Sequence, residues 1–155
     1  MKNYKKVFLI LTIILIIIGV YHHNVTKFNK EELSSNWKKD AKEVLRVYFN
    51  ALNSKDYDLL NECIYPEFGI EHIKKYRKNL VYIKYLDASE YEFKPEILKL
   101  DTGKDVPFED GKVYEVMYKI RNIIENQPEV SGKNCNRYTL IKDENGDYKI
   151  INSGY

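Results

Sequence analysis

Tyrosine hydroxyls and carboxylates are the reactive groups this sequence supplies in quantity: 14 Tyr and 23 Asp plus Glu, against three His and two Cys. An acid–base site needs a carboxylate or imidazole held out of water, with a hydrogen-bond donor aimed at a developing oxyanion. Tyr48 and Tyr118 are the candidate donors, and Leu52 and Tyr138 complete the candidate lining of a pocket. The base would have to be Asp87, Glu90 or Glu115. None of these acids stands in a motif, and strand alternation puts Glu115 on the face opposite Tyr118. His72 sits in a charged stretch, Glu71 to Lys78, which favours solvent. No nucleophile elbow and no glycine-rich phosphate loop occurs. The expectation is a domain with no catalytic residue and no cofactor.

Metal chemistry has equally little to build on. His22 and His23 are adjacent, so on a helix their side chains diverge by about 100°, and no third ligand stands near them in the sequence. Cys63 and Cys135 do not form a Cys-x-x-Cys pair, which leaves no zinc pattern. Outside the cytoplasm two thiols can pair. Pairing requires Cα atoms within about 7 Å, which spacing alone does not decide, so a Cys63–Cys135 disulfide stays open.

Location is written more clearly than chemistry. Val7–Tyr21 reads VFLILTIILIIIGVY, with Thr12 its one polar side chain apart from the terminal tyrosine hydroxyl; Lys2, Lys5 and Lys6 precede it, and the first acid is Glu31. Leu, Ile and Phe at depth favour insertion, and the positive flank keeps that end cytoplasmic. Fifteen helical residues cover about 22 Å, short of a hydrocarbon core of about 30 Å, and the length also suits the apolar part of a cleavable signal. Tyr21-His22-His23-Asn24 lacks the small residues of a cleavage site, and no Cys follows for lipid attachment. Tyr4 and Tyr21 suit the interfacial layers, and Lys5 and Lys6 can snorkel. The sequence thus predicts a basic stub over 1–6, an uncleaved anchor helix over 7–23 contacting membrane through 7–21, a polar stalk over 24–35 and an extracytoplasmic domain over 36–155.

Charge supports that division. Five of the 25 basic residues lie in 1–30, where there is no acid, leaving 20 against 23 acids in the remaining 125 residues, a net of −3. The overall +2 and basic balance therefore come from the anchor segment, and no nucleic-acid partner is expected.

The domain must position any site with helices first and strands after. Trp37, Ala41, Val44, Leu45, Tyr48, Ala51 and Leu52 make one apolar helix face, capped by Ser35 or Asn36 and broken at Asn53-Ser54. Ser54 is the expected cap of a second helix that buries Tyr57, Leu60, Cys63 and Ile64 and ends at Pro66. A third is expected over Glu71–Asn79, with Ile73, Tyr76 and Leu80 inward. Val81–Leu86 begins a strand that resumes at Tyr91–Phe93 and closes at Pro95, and Glu96–Leu100 suggests a short one more. After an acidic loop over 101–111, Lys112–Ile124 alternates most clearly, with Tyr114, Val116, Tyr118 and Ile120 inward. A loop over 125–136 leads to Arg137–Lys142 and Tyr148–Asn152, joined around Asn145-Gly146 as a hairpin.

This is an α+β order: two or three helices packed on a curved antiparallel sheet of about four strands, behind an N-terminal transmembrane helix. AKEVLRVYFNALNSKDYDLLNECI at 41–64 and the closing YTLIKDENGDYKIINSGY at 138–155 resemble the nuclear transport factor 2-like (cystatin-like cone) superfamily. The segments at 79–92, 112–120 and 131–155 are most similar to small exported or membrane-anchored proteins of clostridia and other Firmicutes, which bring no assigned activity. The resemblance implies a helix lying across a cone of strands, with a pocket between them. It leaves three readings: a non-catalytic domain binding a small apolar ligand or a protein partner at the cell envelope; a scaffold subunit of a conjugation- or secretion-type assembly; or a small isomerase- or dehydratase-like pocket enzyme.

Overall fold

The apolar run folds as one helix, α1, over Lys2–Asn24. The structure, a computed structural model, describes residues 2–24, 32–92, 97–99, 105–108, 110–123 and 130–154, with the backbone alone at 2, 3, 20–24, 72, 76, 97–99, 106, 107 and 152–154. The expected stalk over 24–35 therefore lies largely outside the described residues, as do Phe93, Pro95 and Ile124. On α1 the apolar side chains from Val7 to Ile18 are exposed. Among the described residues no helix is long and apolar enough to cross a membrane.

Asp40, rather than Ser35 or Asn36, starts the first helix of the domain. Trp37–Lys39 form a 3-10 turn that buries the indole. Asp40 Oδ1 then accepts from the Lys42 and Glu43 N–H groups at 2.8 and 3.3 Å, so α2 runs over Ala41–Ser54. A carboxylate satisfies two of the first-turn donors and sits at the positive end of the helix dipole. Asn53 and Ser54 remain helical. The stop comes at Lys55, left-handed at φ 56°, whose N–H bonds the Leu52 carbonyl. Ser54 does not cap the next helix; its hydroxyl donates back to the Asn50 carbonyl at 3.0 Å. Asp56 caps α3 (Tyr57–Cys63) by accepting from the Leu59 N–H at 3.0 Å. Tyr57 faces outward, and Leu59 is buried with Leu60, Cys63 and Ile64. The short α4 covers Ile70–Arg77, with Ile73 buried.

Four antiparallel strands form the sheet in the order β1-β4-β5-β6: β1 Leu80–Glu90, β4 Lys112–Asn122, β5 Gly132–Lys142 and β6 Tyr148–Gly154. β1 opens at Leu80, directly after the expected third helix, and buries that side chain. The polar break expected after Leu86 is not a break: β1 continues, with a register shift between Tyr85 and Asp87 that brings Ala88 opposite Val116. An inserted residue of this kind resets which side chains face inward, and that hides the strand from a strict period of two. β2 (Ile97–Lys99) and β3 (Asp105–Pro107) pair with each other, so a strand occupies part of the expected acidic loop. The early half of β5, also expected as loop, pairs with Val116–Ile120 of β4. Its inward positions carry Asn134 and Asn136, which is why no apolar alternation announces it.

One core lies between α2, α3 and the inner sheet face, built on Val44, Leu45, Leu60, Val116, Leu140 and Ile150. Phe108, Val113, Ile141 and Ile151, with Tyr65 and Tyr91, form a smaller cluster. Val113 and Tyr114 are adjacent strand residues and point to opposite faces, so this cluster covers part of the outer face. The β5–β6 hairpin turns through Asp143, whose Oδ1 accepts from the Asn145 and Asp147 N–H groups at 2.9 and 3.0 Å, while Gly146 takes φ 72°. Lys39 ties that turn to the start of α2 through Asp147 at 2.8 Å, and the Lys39 ammonium beside it holds the Asp147 carboxyl below its ordinary value.

Candidate functional site

The four candidate lining residues converge under α2. Tyr48, Tyr118 and Tyr138 are fully buried and Leu52 nearly so. Phe49, which the sequence reading passed over, joins them. Its ring lies 5.6 Å from Tyr48, 5.2 Å from Tyr118, 5.5 Å from Tyr138 and 5.8 Å from Tyr85. These are the offset and edge geometries that aromatic pairs prefer. The signal was present as adjacent aromatics at 48–49: on a helix wrapped by a curved sheet, neighbouring positions can both face inward.

Polar side chains are built into this interior as well. The Tyr118 hydroxyl accepts from Asn136 Nδ2 at 2.8 Å. Asn53, buried on α2, accepts the Ile83 N–H through Oδ1 at 3.0 Å. That bond ties helix to sheet at β1, an edge strand with no neighbour among the described residues on its outer side to satisfy its outward N–H groups. At the rim, Tyr85 is half-buried, and burial with Asp87 and Glu43 nearby pushes its phenol above its ordinary value. Burial does the same to Tyr114.

The candidate bases do not join them. Asp87 and Glu90 are exposed, and Glu90 pairs with Lys112 at 3.1 Å. Glu115 pairs in register with Ser89 and Arg137, on the face turned away from Tyr118, as alternation requires. The side chains of His22, His23 and His72 lie outside the described residues. A separate polar cleft of about 410 Å³ opens between the end of α3 and the β5–β6 turn, lined by Asn61, Tyr65, Glu67, Glu144 and Lys149. Lys149 is already engaged there, donating to the Glu62 carbonyl at 2.6 Å.

Cys63 and Cys135 are both free thiols, the first buried under α3 and the second exposed on β5. Burial pushes the Cys63 thiol far up, so it carries almost no reactive thiolate at neutral pH. One thiol per chain is therefore expected to react with maleimide in the native protein, and two in denaturant. Two fast-reacting native thiols, or none, would contradict this placement.

The family described as "Domain of unknown function (DUF4829)" matches residues 42–154. The chain belongs to that family. The match starts inside α2 and closes in β6, so it takes in the aromatic interior and the whole sheet but leaves α1 outside. No curated protein and no solved structure matches the chain.

Proposed function

We propose that this protein is a single-pass membrane protein whose DUF4829 domain stands outside the cytoplasm and binds a partner at the cell envelope without catalysing a reaction. The observation that carries the reading is the surface of α1. Apolar side chains cover it all round, from Ile14 at 45% exposure to Phe8 at 74%, and a helix apolar on every side needs lipid or protein around it. Its 23 residues extend about 34 Å at 1.5 Å per residue; the apolar run supplies about 22 Å of that, and the flanking residues reach into the interfacial layers on either side of a core of about 30 Å. Lys5 and Lys6 flank the cytoplasmic end, as the charge rule asks. In the domain, a helix laid across an antiparallel sheet is compatible with the nuclear transport factor 2-like cone. The aromatic interior holds Tyr and Asn, while Asp87, Glu90 and Glu115 face water or the outer surface; this favours binding over acid–base chemistry.

Fractionation tests the anchor. The expected result is a full-length chain that stays with membranes through alkaline carbonate, with the domain cleaved by protease added outside intact cells. A chain that carbonate releases, or one trimmed near residue 22 in the medium, would overturn the reading.

A further inference from the structure

Lys84, Lys119 and Lys133 stand side by side across three strands. Lys84 pairs in register with Lys119 on β4, and Lys119 with Lys133 on β5. Residues directly opposite in antiparallel strands point to the same face with Cβ atoms about 4.5–5.5 Å apart, where like charges repel. All three are exposed, and Arg121, the next outward position on β4, adds a fourth cation. Among the described residues none of these four side chains has an ion pair or hydrogen bond, whereas Lys38, Lys39, Lys112, Lys142 and Lys149 each face an acid.

A chain whose residues after 30 carry a net −3 has acid to spare. On this face Asp87 and Glu115 occupy the rows beyond the lysines, opposite Met117 and Ser89. An acid at position 119 would turn two repulsions into two attractions, so the row costs the free domain stability. Large apolar side chains adjoin it: Met117 at 49% exposure in the next row, with Ile123 at 75% and Val130 at 49% where β4 ends and β5 approaches. Cations interleaved with exposed apolar groups are the composition of surfaces that settle into a charged bilayer interface, and an acidic protein partner would leave Ile123 and Val130 unexplained.

We propose that this face of the sheet docks on an anionic phospholipid surface. The inference rests on the membrane reading of α1 only for proximity: the anchor would hold the domain beside the bilayer on which it settles. Each cation brought to such a surface strengthens attraction on the order of fivefold, and the effect falls off within a Debye length.

The test uses the full chain reconstituted into vesicles of phosphatidylcholine, alone or mixed with phosphatidylglycerol. Cys135 lies opposite Met117 on the same face and takes the fluorophore; acyl-brominated lipid is the quencher. The expected result is quenching in the mixed vesicles, several-fold less in the neutral ones, and its loss at high salt. Lys119→Glu should lose most of the quenching while raising the thermal midpoint, which separates lost docking from misfolding. Equal quenching in both lipids, or full quenching by Lys119→Glu, overturns the proposal. Lys119-dependent binding of soluble polyglutamate with no quenching in either vesicle overturns it too, and assigns the face to an acidic protein. Carbonate extraction of the same vesicles reports on the anchor separately, because a chain that is released yet quenched in mixed vesicles only has lost the anchor and kept the docking face.

Discussion

Phe49→Ala is expected to destabilise the domain by about 3–5 kcal/mol, the cost of emptying an aromatic site in a packed core. Phe49 is buried and its ring meets those of Tyr48, Tyr85, Tyr118 and Tyr138. Truncation therefore removes contacts to α2, β1, β4 and β5 together. The four neighbours are large and held by separate elements, so they have little freedom to collapse into the space. A single domain is stable by about 5–15 kcal/mol in total, so the loss takes at least about a fifth of that margin. Urea denaturation would show a large fall in midpoint with little change in slope. Ile123→Ala, at 75% exposure, is the control and should stay within about 0.5 kcal/mol. A loss below about 1 kcal/mol at Phe49 would mean that the space beneath α2 is not closed by these rings.

The second large effect belongs to α1. Ile14 lies at the middle of the 7–21 run. Replacing it with Arg exchanges a side chain that favours the bilayer centre by about 0.3–0.6 kcal/mol for one that opposes it by about 2.5–3.5 kcal/mol. The difference, about 3–4 kcal/mol, lowers insertion by roughly two to three orders of magnitude. The carbonate-resistant fraction should fall sharply for Ile14→Arg and little for Tyr4→Arg, where a long side chain can reach the interface. Neither change should alter the urea midpoint of the domain, because no described side chain of α1 belongs to either core cluster. Equal retention of both variants in membranes would remove the bilayer from the account of α1.

The sequence made the domain's apolar faces legible and its polar devices much less so. Val44, Leu45, Tyr48 and Leu52 lie inward as the helical spacing implies, and Tyr114, Val116, Tyr118 and Ile120 as the alternation does. The helix starts moved because Asp40 and Asp56 each accept first-turn N–H groups, and any of several nearby polar residues could have done so in an isolated chain. β1 and the early half of β5 were obscured for different reasons, an inserted residue after Tyr85 in one and inward asparagines in the other. Candidate lining residues were identifiable by type. Their meeting point was not, because Phe49, Asn53 and Asn136 matter through partners far along the chain: Asn53 and Ile83 are 30 residues apart, and Asn136 and Tyr118 18.

The connection between α3 and β6 bears on when the domain can fold. Ile64 forms a parallel bridge with Ile150, and the Tyr65 N–H bonds the Ile150 carbonyl at 2.8 Å. Ile150 is itself in the core with Tyr148. The segment leaving the first helical layer is thus satisfied by the final strand, and β6 is also the strand that completes the sheet beyond β5. A nascent chain holding α2, α3 and the first three strands of the sheet still has an open core edge and an unpaired strand. Closing contacts so distant in sequence requires the intervening chain to be present and ordered first. Folding therefore waits for the last strand, and a nascent chain becomes a domain only once β6 has emerged to pair with β5 and receive the segment after α3.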